Sequence, residues 1–419
     1  MRLPRRTAYC LCLLGLSALL GCTLPRRDAP PTLFSAATPA GFPPTVRFLS
    51  VDRATVEARS DAALQGLRKA SKDGIVRFLA LSGGGAAGAF GAGALIGLGQ
   101  RNERPQYDVV TGVSAGALIA PFAFLGPQWD SQLVDAITSG RSERMTLHGL
   151  TQLIFGVRNR SNALASFVDH YITQDLVDAV AREASTGRIL WVATTDLDKE
   201  ELVIWDLGIV AQHGGEAARR LFRDVLVASA SVPGVFSPVI IPVERDGRRY
   251  DEMHVDANAS ASLFVAPAAA YFAVLDQSAL RGGQLYVLVN GKIIGAPSTT
   301  RSKLGPIVRR SFDAAMKHLS RGQIIAVNQF ADKYQMSVRS TYLPFDYPRY
   351  NPADFHAPAM RLLFNYGERC AEQGLLWTTM DQTMAAATDA ATMPAQPAAA
   401  DHVPECPLRD VQQINSARR

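Results

Sequence analysis

Little in this chain of 419 residues could hold a metal or a nucleic acid. It has five cysteines and seven histidines, and no group of them has zinc-site spacing, so no metal or other cofactor is expected. No long basic stripe with interleaved aromatics appears, which removes the footprint of a nucleic-acid partner. No Gly-Lys-Ser/Thr follows a glycine loop, which excludes a phosphate-binding P-loop. There is no internal repeat. What the chain does have is a hydrophobic fraction of 47%, enough for a sizeable globular core.

The N-terminus reads as a leader rather than as part of the fold. Arg2, Arg5 and Arg6 make a basic start, and the apolar run Leu11–Leu20 is too short to span a bilayer comfortably. The run ends in Leu19-Leu20-Gly21-Cys22, which resembles a bacterial lipobox. That likeness implies cleavage before Cys22 and a lipid on its thiol; Thr23 next in line favours export to the outer membrane. Residues 1–21 would be a signal peptide, residues 22–50 a Pro-rich tether, and the protein a lipid-anchored resident of the bacterial cell envelope. Losing residues 1–21 removes three arginines and no acids, so the net charge falls from +5 to +2. In an exported chain Cys370 and Cys406 can form a disulfide closing the C-terminal segment.

The chain rhythm is that of an α/β fold. Apolar spacing predicts a helix over 52–72, a strand over 76–81, a small-residue helix over 86–99, a strand over 108–111 and a buried helix over 115–125. Further strands are expected at 189–195, 201–205, 239–243 and 285–290, and helices near 161–184, 217–229 and 306–330. Together these predict a largely parallel central sheet between helical layers. A principal domain is placed at 51–340, with 341–419 as a C-terminal extension, low in complexity from about residue 378 to 404.

The chemistry concentrates in two turns. Gly112-Val113-Ser114-Ala115-Gly116 is a G-x-S-x-G pattern, a serine on a tight strand-to-helix turn. About thirty residues earlier, Gly83-Gly84-Gly85-Ala86-Ala87-Gly88 can aim N–H groups at one point, as an oxyanion requires. This run also matches G-x-G-x-x-G. A dinucleotide fold, however, wants an acid at the end of the second strand, where the serine elbow stands here. None of the seven histidines (His148, His170, His213, His254, His318, His356, His402) has a distinctive late-loop context. An acid is available in Tyr250-Asp251-Glu252-Met253-His254-Val255-Asp256-Ala257-Asn258, with Asp251 the rival of Asp256 and His254 on the same strand face as Asp256. Leu147, Leu150, Leu153, Ile154 and Phe155 are core, the wall of an acyl groove or a contact with lipid.

Taken together, the loop 82–88, the elbow 112–116 and Val255-Asp256-Ala257 resemble the patatin-like phospholipase family over about residues 76–270. The resemblance implies a three-layer α/β/α fold and a Ser–Asp dyad without histidine. Ser114 would attack an ester carbonyl of a membrane phospholipid or lysophospholipid, Asp256 would be its general base, and N–H groups of Gly83, Gly84, Gly85 and Ala86 would hold the oxyanion. Two positions depart from the family: Ala87 replaces a frequent basic residue, and Asp256-Ala257-Asn258 replaces Asp-Gly-Gly or Asp-Gly-Ala. A left-handed turn at residue 257 would strain an alanine. The alternative is a catalytically weak or silent envelope lipoprotein that keeps the pocket to bind lipid or a protein.

Overall fold

The computed structural model describes residues 26–30, 37–145, 151–273, 276–293, 295, 299–344, 347–348, 351–383 and 404–408. The leader and Cys22 lie outside the described residues. Strands β1 (Thr38–Pro39) and β2 (Arg47–Leu49) precede helix α1 (Arg53–Ala70). Then come β3 (Arg77–Leu81), α2 (Gly88–Gln100), β4 (Val109–Gly112), α3 (Ala115–Leu125) and α4 (Asp130–Thr138). Helices α5 (Thr151–Tyr171) and α6 (Gln174–Ser185) lead to the hairpin β5 (Ile189–Asp196) and β6 (Glu201–Asp206). After α7 (Leu207–Gln212) and α8 (Gly215–Ser229) come β7 (Val239–Arg245) and β8 (Arg248–Asp256). The chain closes with α9 (Ala268–Phe272), β9 (Gln284–Leu288), α10 (Leu304–Tyr334), β10 (Ser337–Thr341), α11 (Ala357–Glu372) and β11 (Thr378–Thr379).

Strands β5, β4, β3, β9 and β10 lie side by side and parallel, the centre of one mixed sheet. Residues alternate between its faces: Leu79 and Leu81 enter one core, Phe78 and Ala80 the other. Helices α2, α3 and α11 cover the first face, α1, α9 and α10 the second, so the fold is three-layer α/β/α as expected.

Three expectations about extent are corrected. The second half of the Pro-rich stretch 22–50 is not a bare tether, because β1 pairs with β7 and β2 with β6. The segment after residue 340 is no appendage either. Helix α11 lies against α2 so closely that a Cβ on Gly93 would come within 2.0 Å of Phe364 O, and one on Gly367 within 2.2 Å of Phe90 O. Cys370 at the end of α11 is disulfide-bonded to Cys406, which holds residues 404–408 against the body. Lastly, the helix expected over 161–184 is two helices. Thr173 is extended and its side chain accepts from Leu176 N, capping α6 and ending the preceding run.

Strand β5 makes the decisive irregularity. Its first half pairs with β4, ending Gly112↔Val192, and its second half pairs on the same flank with antiparallel β8, Asp256↔Thr194. The C-terminal ends of β4 and β8 therefore run towards each other and meet beside Ala193.

Candidate active site

The meeting of those two strand ends places the elbow against the acid. Ser114 sits at φ 53°, ψ −122°, a conformation that side chains other than glycine seldom adopt. Its N–H donates to Ser229 Oγ at 3.0 Å, which pins the elbow to the end of α8. The flanking glycines are required by space: a Cβ on Gly112 would lie 2.7 Å from Ala117 Cα, and one on Gly116 2.4 Å from Leu81 O. Nothing in the sequence singled out Ser229, because the contact spans 115 residues.

Ser114 Oγ donates a 2.6 Å hydrogen bond to Asp256 Oδ2. Asp256 is buried, and its other oxygen, Oδ1, accepts from Asn258 N at 2.8 Å. Burial pushes its carboxyl up to about 7, although the bonds from Ser114 and Asn258 pull the other way. The strain expected at Ala257 is absent, since residue 257 opens a short 3₁₀ turn and has no positive φ. The substituted Asn258 has a place of its own, with its side chain filling the space where Gly83 would carry a Cβ, 2.1 Å from Asn258 Nδ2.

Each glycine of the preceding loop answers to a different neighbour. Gly83 faces Asn258, and a Cβ on Gly84 would lie 1.9 Å from Asn290 O. Gly85 has φ +57°, and a Cβ there would lie 2.2 Å from Pro352 O. Of the four N–H groups assigned to the oxyanion, two are engaged within the protein: Gly83 N donates to Ser262 O at 3.0 Å and Ala86 N to Pro352 O at 2.8 Å. The N–H groups of Gly84 and Gly85 have no acceptor among the described residues. The carbonyl that takes up Ala86 is that of Pro352, from a C-terminal segment that no local signal places here.

An apolar cavity opens beside Ser114. Its walls are Leu118, Ile119 and Phe122 of α3, Leu133 and Ile137 of α4, and Leu164, Phe167 and Val168 of α5. Leu147 and Leu150 of the expected groove stripe lie outside the described residues, as do the side chains of Leu153, Ile154 and Phe155. The same α5 helix reaches the cavity about two and a half turns further on, at Leu164.

The other candidates on β8 are otherwise occupied. Asp251 pairs with Arg27 at 2.7 Å, and hydrogen bonding to that guanidinium holds its carboxyl below the usual range. Buried His254 contacts Thr194 Oγ1 at 2.9 Å and Glu252 Oε2 at 3.3 Å. Among the described residues no histidine ring nitrogen is hydrogen-bonded to Ser114 or Asp256. Asp196, Glu252 and His254 bring ligand-type atoms within 4.8 Å of one another. Lys199 Nζ already stands between the two carboxylates, 2.6 Å from Asp196 and 2.7 Å from Glu252, and Arg47 pairs with Glu252 as well. The cluster is thus neutralised by cations of the chain itself.

A strand end, a strained serine bonded to a buried acid, a glycine loop and an apolar cavity together suit the hydrolysis of lipids. The family described as patatin-like phospholipase matches residues 79–269. Those residues thus make a patatin-like phospholipase domain, which supports a lipid hydrolase. No curated protein matches the chain. VipD from Legionella pneumophila is similar at TM-score 0.29 and 13% identity, over 70% of this chain and 67% of that one. Human GIVD cytosolic phospholipase A2 is similar at TM-score 0.29 and 9% identity, over 65% of this chain and 51% of that one. At this degree of likeness neither bears on the chemistry.

Proposed function

We propose that this protein is a serine acyl hydrolase that cleaves carboxylic esters of phospholipids or lysophospholipids. The observation that carries the reading is the 2.6 Å hydrogen bond from Ser114 Oγ to the buried Asp256. Asp256 accepts the serine proton as Oγ bonds to the ester carbonyl carbon. The negative charge on the carbonyl oxygen falls to the N–H groups of Gly84 and Gly85, aided by the N-terminus of α3. The C–O bond to the leaving alcohol then breaks, and that alcohol takes the proton from Asp256. Water repeats the sequence in reverse, freeing a fatty acid and restoring Ser114. A carboxylate with a pKa near 7 is a stronger base than an ordinary aspartate, and the raised pKa of Asp256 supports the assignment. The apolar cavity gives the acyl chain a dry place, and Gly83 and Ala86 take structural roles.

The same reading includes a lipid on Cys22 and residence at the bacterial outer membrane, where an anchored enzyme searches its substrate in two dimensions. Labelling with a fluorophosphonate tests the dyad. Labelling should vanish in Ser114→Ala and weaken in Asp256→Asn. A folded wild-type protein that takes no label would replace the enzyme by a silent lipid-binding lipoprotein. Incorporation of radiolabelled palmitate, lost in Cys22→Ala, tests the anchor.

A further inference from the structure

Helix α10 has two unlike halves. In the second, Ile324, Val327, Phe330, Ala331 and Tyr334 are buried against the sheet. In the first, Leu304, Ile307, Val308 and Phe312 are exposed by 79%, 47%, 58% and 52%. Their spacing, i, i+3, i+4, i+8, is that of a burying face. At 100° per residue the four fall within an arc of about 140°, centred about 130° round the helix from the buried residues of the second half. The stripe therefore lies mostly off the core-facing side; Phe312 alone shares the azimuth of a buried residue, Phe330, and is itself exposed. Lys303, Arg310, Lys317 and Arg321 form a second row along one edge of it, at i, i+7, i+14 and i+18. Asp313 is the single acid between Lys303 and Arg321.

We infer that the first half of α10 is a membrane-docking surface, which lays its apolar stripe into an anionic phospholipid bilayer with the basic row at the head groups. Large apolar side chains exposed together on one helix face cost free energy in water and gain it at an interface. The row of cations beside them selects an anionic surface rather than a neutral apolar groove. No helix among the described residues is long and apolar enough to cross a membrane, so α10 would lie on the surface. Its far half is joined to the site. Gln323 Oε1 accepts from Ser262 N at 2.8 Å and Leu263 N at 3.0 Å. The carbonyl of Ser262 in turn holds Gly83 N of the glycine loop. The value of such docking to a lipid hydrolase rests on the proposed function; the docking itself needs no turnover.

The test uses the full chain carrying Ser114→Ala, to prevent turnover, and Cys22→Ser, to prevent lipidation. Flotation with phosphatidylcholine vesicles is compared with flotation on vesicles that also contain phosphatidylglycerol. The anionic vesicles should carry the protein and the neutral ones much less. Ile307→Asp with Phe312→Asp should lower partitioning at least about tenfold, with Tm unchanged because both side chains are exposed. A local readout excludes anchoring by the leader: Phe312→Trp should add tryptophan emission that brominated acyl chains quench. Three outcomes would overturn the proposal. They are equal partitioning of the Asp variant, no added quenching at residue 312, or light scattering that shows a dimer broken by the Asp variant, which would make the face a protein interface. Absence of fluorophosphonate labelling would sink the catalytic reading and leave this one standing.

Discussion

Glu252 and Asp256 lie four residues apart on one face of β8, both buried, and the protein treats them in opposite ways. Burial drives both carboxyls up. For Glu252, Arg47 and His254 more than offset that push, and its carboxyl is held below the usual range. Among the described residues Asp256 has no cation for a partner, its side chain bonding to Ser114 and Asn258, and it stays raised to about 7. Asp251, between the sheet and Arg27, behaves like Glu252. Burial alone does not make a base; burial without a counter-cation, beside a nucleophile, does.

Exchanging the properties of these acids breaks the comparison at its strongest point. Ser114→Ala and Asp256→Asn should each lower kcat/KM by about 10³-fold or more, measured on a soluble ester, whereas Asp251→Asn should leave it within about threefold. Next in size is a loss of stability. Glu252→Gln leaves Arg47 and Lys199 short of a buried partner, and should cost about 3–5 kcal/mol in urea unfolding. Since the folded-state pKa of Glu252 is depressed, its contribution is present above its unfolded value and is lost as pH falls through the folded one. The Gln variant should therefore lose the corresponding acid-unfolding limb.

Asp256 has the opposite sign. Its folded pKa is raised, so between its unfolded value, about 4, and about 7 the folded state binds more protons than the unfolded. Stability should decline across that window and level off above it. Asp256→Asn should melt higher than wild type at pH 8 and close to it at pH 4, while kcat/KM of the wild type should rise with pH through a limb near 7. A pH-independent rate from 5 to 9 would remove Asp256 as the base. The smallest expected effect is at Ala257→Gly. With no left-handed turn to relieve, turnover should stay within about twofold, and added backbone freedom should cost about 0.5–1 kcal/mol.

Much of the site was legible because it is local. The elbow glycines and the loop 83–88 announce themselves within a few residues, and β3, α2, β4 and α3 follow from apolar spacing and turn chemistry nearly as drawn. The partners that set their chemistry were not legible. Arg27, Arg47, Ser229 and Pro352 each reach β8, the elbow or the glycine loop from far along the chain. Composition also misled at both ends: a Pro-rich stretch still supplies two sheet strands, and α11, expected in an extension, became a packed layer through glycine contacts with α2.

By itself the sequence determined the serine on its strained turn, the glycine loop before it, the parallel core and a short set of acids on one strand. Those follow from residue types at fixed short spacing, which act through local backbone sterics and periodic burial. Only the tertiary structure decided which acid meets the serine, which N–H groups of the glycine loop stay unspent, and that the first half of α10 turns its apolar stripe outward. Each of those depends on which distant charge, carbonyl or surface arrives beside a residue, and desolvation and pairing act on that arrival rather than on sequence spacing.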